Sequence, residues 1–268
     1  MPHFSLTDNS ATSPVILHAP HGGRLIPNEH LEAYVVSGAE LEAEKNVMTD
    51  HVTDRLVRGI TGASSMVNEL SRLTVDVERF ADDAEEMNAV GMGALYTHGS
   101  RGQRIRDLAR ADEPTLMKYF RDYSNAFAAL VNATLLRHGR AVIVDVHSYP
   151  EQALAYELHA KDPRPELCLG YESFHAPAQF VTQVTEAFAP LQVLTNAPFS
   201  GTYVPLEHYK TDARVHSVML EIRRDVYLNE STLALKPTSF HDLGNSLQHL
   251  VNAIVAEKFP HPEKIEAP

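Results

Sequence analysis

A chain of 268 residues, 44% of them hydrophobic, can bury a sizeable core, and without internal repeat or low-complexity tract it reads as one domain over residues 1–268. Lys plus Arg number 23 against 35 Asp plus Glu, a formal charge of −12, which argues against nucleic acid or an anionic membrane as partner. The lone Cys168 excludes an intrachain disulfide and a cysteine-rich metal cage, so any metal must be held by histidine and carboxylate.

In chain order, Val15 to Leu17 reads as a short buried strand, and Ala19 to Gly23 as a loop broken by Pro20, Gly22 and Gly23. From Leu41 to Ile60 apolar residues recur at helical spacing, which places Asp50 and Asp54 on one face at i, i+4. Ser65 to Leu70 and Leu73 to Val77 look like strands, and Phe80 to Arg106 is expected to be a functional or partly mobile loop. Pro114 to Leu136 is predicted as a long amphipathic helix stopped near Gly139, before a strand over Ala141 to Val146. A helix over Pro177 to Phe188, strands over Gln192 to Thr195 and Val218 to Ile222, and a terminal helix from Leu243 to Phe259 complete an α/β pattern.

The segment AVIVDVHSYP carries the sharpest chemical signal, because an apolar run ends in Asp145, His147, Ser148 and Tyr149. Polar groups delivered to a strand end are costly unless metal or substrate satisfies them. His147 pairs in this reading with His21, on the Gly-rich loop half a chain away, as ligands of a catalytic zinc often do. Such a zinc usually takes three protein ligands, and Asp50 is the candidate third, its plainer alternative being an exposed helical acid. Asp145, two residues before His147, shares its strand face and is expected to orient it from outside the metal shell. His18 competes as a first-loop ligand, with a packed, hydrogen-bonded histidine as the better reading.

Glu221 ends the apolar run VMLEI and is a candidate general base; the alternative is a buried pair with Arg223 or Arg224. In SRLTVDVERF, Arg79 could clamp a substrate carboxylate with Asp76 fixing the adjacent loop, whereas an internal Arg72–Asp76 salt bridge explains those two equally well. Asn196, Ser200, Gly201 and Thr202 form a polar loop suited to a polar ligand, or a plain turn.

Taken in order, APHGG (19–23), TDHVTDRL (49–56), LSRLTVDVERF (70–80), DVHS (145–148), NAPFSGTYV (196–204) and VHSVMLEIRRDVYLNE (215–230) resemble the N-formylglutamate amidohydrolase family over about residues 14–230. The resemblance implies a zinc exopeptidase-like fold, a three-layer α/β/α arrangement around a mixed, mostly parallel sheet. VHSYPEQ and LEIRRD also look like zinc carboxypeptidase segments, which implies His147 as ligand and Glu221 as base. The first-loop ligand corresponds to His21, but Arg24 stands where the carboxypeptidase His-x-x-Glu pair would have its Glu, which keeps Asp50 in play. Where the family typically shows Asp-Leu-Asn-Arg, this chain has Asp76, Val77, Glu78 and Arg79. Glu78 then either favours a cationic or amide substrate side chain or points away by strand alternation.

The expected protein is thus a hydrolase of small N-acyl amino acids. One zinc is held by His21, His147 and Asp50, with Glu221 as base and Arg79, Arg72, Ser148, Asn196 and Thr202 around the substrate. A carboxypeptidase-like enzyme on short peptides and a non-catalytic binding homologue are the rivals. The N-terminus MPHFSLTDNSATSP has no basic segment followed by an apolar one, and no apolar run nears the ~20 residues of a bilayer span. A cytoplasmic address without a membrane partner is expected, and a homo-oligomer is admissible.

Overall fold

The computed structural model describes residues 3–157 and 159–257. Seven strands make one sheet: β1 (Phe4–Thr7), β2 (Val15–Ala19), β3 (Ser64–Asn68), β4 (Ala141–Tyr149), β5 (Leu167–Gly170), β6 (Val193–Thr195) and β7 (Val215–Arg223). Their spatial order is β1-β3-β2-β4-β7-β5-β6. The central four are mutually parallel, while β1 joins β3 and β5 joins β7 antiparallel, so the sheet is mixed and mostly parallel as expected. Parallel strands must be covered on both faces, and the sequence supplies the cover from two directions. Leu17, Val142, Val144, Val146, Val218 and Leu220 point to one face and pack against α2 (Thr53–Arg58), α4 (Ala178–Ala187) and α5 (Pro237–Ala256). Ile16, Ala141, Ile143 and Val215 point to the other and meet α3 (Glu113–His138) through Tyr123, Phe127, Leu130 and Val131. Three layers result.

The long helix follows its sequence signals closely. Asp112 accepts a hydrogen bond from the Thr115 amide at its start, Pro114 sits in the first turn, and Gly139 ends it at φ 69°. The terminal helix begins earlier than expected, at Pro237, and the predicted extension through Phe259 lies outside the described residues. Among the described residues no helix is long and apolar enough to cross a membrane.

Three expectations are corrected. The helix predicted over 41–60 is two helices, α1 (Gly38–Met48) and α2, separated by a turn over 49–52 in which Val52 has φ 60°. Thr49 returns its hydroxyl to the Lys45 carbonyl and the Asp50 amide donates to the His21 carbonyl. Side-chain and cross-chain bonds thereby replace the helical ladder. Leu73 to Val77 is not a strand; Leu73, Val75 and Val77 are buried by packing, and the segment's backbone takes turns instead of ladder bonds. The segment 80–106 is not a loose loop, since Met87, Met92, Tyr96 and Ile105 form a third apolar cluster with Tyr34, Leu41, Met48 and Leu73. This cluster and α1 build one wall above the carboxyl ends of the parallel strands.

Candidate active site

Side-chain alternation decides where the chemistry gathers. On β4, residues 142, 144 and 146 enter the apolar core, so Asp145 and His147 face the α3 side, and on β7 the same alternation turns Glu221 that way. Register sets His147 beside Glu221 on adjacent parallel strands and His18 of β2 beside Asp145. The loop after β2 brings His21 over them. A side chain on Gly23 would meet the Asn68 and Glu69 backbone at 2.5 Å, so this loop can lie against the end of β3 only with glycine there. The turn between α1 and α2 supplies Asp50, which is buried, whereas Asp54 is on the surface and paired with Arg58. The two acids expected on one helical face have separate environments because the helix breaks between them.

Nδ1 of His21 and Nδ1 of His147 lie 3.2 Å apart. Asp50 Oδ2 is 3.2 Å from the latter and 3.8 Å from the former. The outer nitrogens face acids: His21 Nε2 donates to Asp76 Oδ1 at 2.8 Å, and His147 Nε2 stands 3.0 Å from Asp145 Oδ1, out of line for a good hydrogen bond. With His21 Nε2 turned outward to Asp76 and His147 Nε2 facing Asp145, the two Nδ1 atoms and a carboxylate oxygen converge on one point. These three atoms, 3.2–3.8 Å apart, can hold a cation between them, and the spacing is near that of tetrahedral zinc, whose ligands at about 2.0–2.1 Å stand about 3.3–3.4 Å apart. The donor set therefore fits the expected metal. Arg24 lies away from it, paired with Glu42 and bonded to Asn46.

The electrostatics agree. Burial opposes ionisation of Asp50, yet His147, His21 and Arg224 hold its carboxyl below the usual range. Burial likewise opposes Asp76 and Asp145, but Arg72 and His21 depress the first and His147 and His18 the second. Burial disfavours charge on His147 as well, and Asp145 and Glu78 override it and raise the imidazole well above its ordinary value. Buried carboxylates thus surround the two histidines.

A cavity of about 790 Å³ opens over this cluster. His21, Asp50, Asp76, Asp145, His147, Glu221, Arg72, Arg79, Ser148 and Thr202 all line it. Glu221 is not paired with either neighbouring arginine. Arg223 bonds Asp225, and Arg224 bonds Ser148 Oγ and the Val47 carbonyl and reaches Asp50 Oδ1 at 3.4 Å. Glu221 Oε2 is buried without a hydrogen-bond partner among the described residues, and burial pushes the carboxyl up to about 8. Arg72 spends Nε and Nη2 on Asp76 Oδ2, to which the Tyr96 hydroxyl also donates. Arg79 is held loosely, at 3.5 Å from Glu85 and 3.7 Å from Asp76, with Nε lacking a hydrogen bond. The Ser148 hydroxyl serves Arg224, and Thr202 shares a 2.6 Å hydrogen bond with Ser217.

Asn196 is corrected: it lies outside the cavity lining, at φ 53°, with Oδ1 accepting from the Tyr171 amide. It is a turn residue in the polar loop. His18 is saturated, with Nδ1 on Asp145 at 2.8 Å and Nε2 on the Tyr123 hydroxyl at 2.7 Å. A second group of ligand-type side chains, His18, Glu78 and Asp145, adjoins the first, but this saturation leaves its histidine no lone pair to offer. Sequence reading missed Tyr96 and the true partner of Arg224. Tyr96 lay in a stretch without periodicity; Arg224 had only its neighbour Glu221 to suggest a contact.

Fold and site together define an α/β protein with a buried cluster of histidines and carboxylates at the ends of its parallel strands. The profile described as N-formylglutamate amidohydrolase matches residues 13–228, and the chain belongs to that family. The fold is similar to that of the crystal structure of N-formylglutamate amidohydrolase from Ralstonia eutropha JMP134. The two are 21% identical with a TM-score of 0.80, over 95% of this chain and 99% of that one. It is also similar to a gene product of Agrobacterium tumefaciens, at 17% identity and TM-score 0.60, over 93% of this chain and 96% of that one. No curated protein matches the chain.

Proposed function

We propose that this protein hydrolyses the amide bond of N-acyl amino acids, with N-formyl compounds such as N-formyl-L-glutamate as the first class to test, in a single domain that uses zinc. The observation carrying the proposal is the convergence of His21 Nδ1, His147 Nδ1 and Asp50 Oδ2 beside an unpartnered Glu221. Zinc held by those three side chains supplies Lewis acidity toward the amide carbonyl and lowers the pKa of water.

The protein's own groups do the rest. Asp76 fixes the ring and tautomer of His21, and Asp145 sits against the outer nitrogen of His147. Glu221 accepts a proton from the attacking water and returns it to the leaving amine nitrogen, so the C–N bond breaks as a free amino acid and a carboxylic acid are formed. A carboxyl raised toward neutrality by burial suits both halves of that transfer. Arg79, held by long contacts only, clamps the substrate carboxylate. Arg72 keeps Nη1 outside its pairing with Asp76 and lies within reach of the developing oxyanion. Ser148 and Thr202 contribute polar cavity wall.

Elemental analysis of the purified protein and of His147→Ala tests the metal half. About one zinc per chain in the parent, lost in the variant, is expected. A panel of N-formyl, N-acetyl and N-succinyl amino acids with di- and tripeptides tests the reaction; turnover of peptides alone would replace this reading with the peptidase one. Absence of metal in both proteins after zinc is supplied would overturn it.

A further inference from the structure

Glu78 is a cavity acid with no arginine or lysine partner among the described residues. Its carboxylate lines the pocket and approaches three imidazoles, yet it is the second acid at each of them. His21 Nε2 is 2.8 Å from Asp76 and 3.5 Å from Glu78. His147 Nε2 is 3.0 Å from Asp145 and 3.3 Å from Glu78, and His18 Nδ1 is 2.8 Å from Asp145 and 3.5 Å from Glu78. Each ring nitrogen therefore has a nearer carboxylate. Glu78 Oε1 has no hydrogen-bond partner, and among the described residues no Arg or Lys comes within 4 Å of this side chain.

The cavity's cations are meanwhile largely committed. Arg72 is paired with Asp76 through two nitrogens, and Arg224 is tied to Ser148, Val47 and Asp50. Arg79 alone keeps a guanidinium loosely held enough to take up a ligand carboxylate. One arginine is available for one carboxylate, and the wall beside it in sequence carries a negative charge of its own. Such a wall repels a second ligand carboxylate and attracts an N–H donor or cation.

We propose that Glu78 is a specificity determinant that turns this enzyme from dianionic substrates toward N-acyl amino acids bearing a single carboxylate, with an amide or cationic side chain. This rests on the N-acyl amidohydrolase reading above and narrows its substrate class. N-formyl-L-glutamine and N-formyl-L-glutamate differ only in the side-chain group in question, so their ratio of kcat/KM isolates it.

The zinc-loaded parent is expected to prefer the glutamine compound by on the order of tenfold to a hundredfold, and Glu78→Gln to bring the ratio near unity or reverse it. A purely structural role for Glu78 would lower both rates together and leave the ratio unmoved. Equal or better use of N-formyl-L-glutamate by the parent, or an unchanged ratio in Glu78→Gln, overturns the proposal. Calorimetric binding of L-glutamine and L-glutamate to zinc-loaded Glu221→Gln separates this test from turnover. Tighter binding of glutamine supports the proposal even if neither formyl compound is hydrolysed, an outcome that would count against the amidohydrolase reading alone. Tighter binding of glutamate, or of neither amino acid, overturns it.

Discussion

The two faces of the central sheet are made by the same strands and obey opposite rules. Facing α5, residues 142, 144 and 146 of β4 and 218, 220 and 222 of β7 are aliphatic throughout. Facing α3, the same strands begin with Ala141, Ile143 and Val215 and end with Asp145, His147 and Glu221. A strand that alternates between faces can thus serve stability with one set of residues and chemistry with the other. Substitutions on the two faces should fail in different ways.

The largest separation is expected from Glu221→Gln, which preserves shape and removes the base. Turnover should fall by about 10²–10⁴-fold with zinc content and melting temperature nearly unchanged. Loss of zinc alongside activity would show that Glu221 is structural. The pH dependence gives the same residue a sign. As a base Glu221 must be ionised, and burial raises its carboxyl to about 8. Activity is therefore lost as pH falls through the folded-state value, and the acid limb of kcat/KM should lie above the ordinary carboxylate range. The limb should vanish in the residual activity of Glu221→Gln.

The other face answers in stability. Leu247 of α5 is fully buried in the aliphatic cluster, and Leu247→Ala should cost about 2–5 kcal/mol in urea unfolding while kcat/KM per folded molecule stays at the parental value. A kinetic defect in the folded fraction would mean that the faces are coupled. Asp76→Asn is expected to be milder than either. The His21 Nε2 contact becomes neutral, and zinc affinity in a competition assay should weaken about 10–100-fold. An unchanged affinity would detach Asp76 from the metal and leave it as the partner of Arg72.

These faces were legible in the sequence to different degrees, for physical reasons. The run AVIVDV announces a buried strand, and its polar end announces a site, because burying Asp and His without partners is costly. The long helix was equally plain, with Pro114 at its start and Gly139 after its end. Leu73, Val75 and Val77 alternate as a strand would, but they enter two apolar clusters without ladder bonds, a distinction that periodicity cannot make. The four-residue strands β1 and β5 are too short to carry a pattern. Asn196 sits in a motif shared with the family, and motif membership does not distinguish a turn residue from a ligand contact.

The turn that delivers Asp50 was hidden most completely, and it yields the smallest and most diagnostic prediction. Helical spacing runs unbroken through residues 47–57, with no glycine or proline to mark the break. Val52 takes φ 60° there, a conformation that crowds a β-branched side chain, while its side chain packs against the cluster under α5. Val52→Ala loses that packing and keeps most of the backbone penalty; Val52→Gly loses the packing and removes the penalty. Glycine is therefore expected to be more stable than alanine by about 1 kcal/mol in urea unfolding, the reverse of their order in a helix interior. If alanine were the more stable, the 49–52 turn would be helical in solution. Asp50 would then face away from His21 and His147, and the site would have to find its third ligand elsewhere.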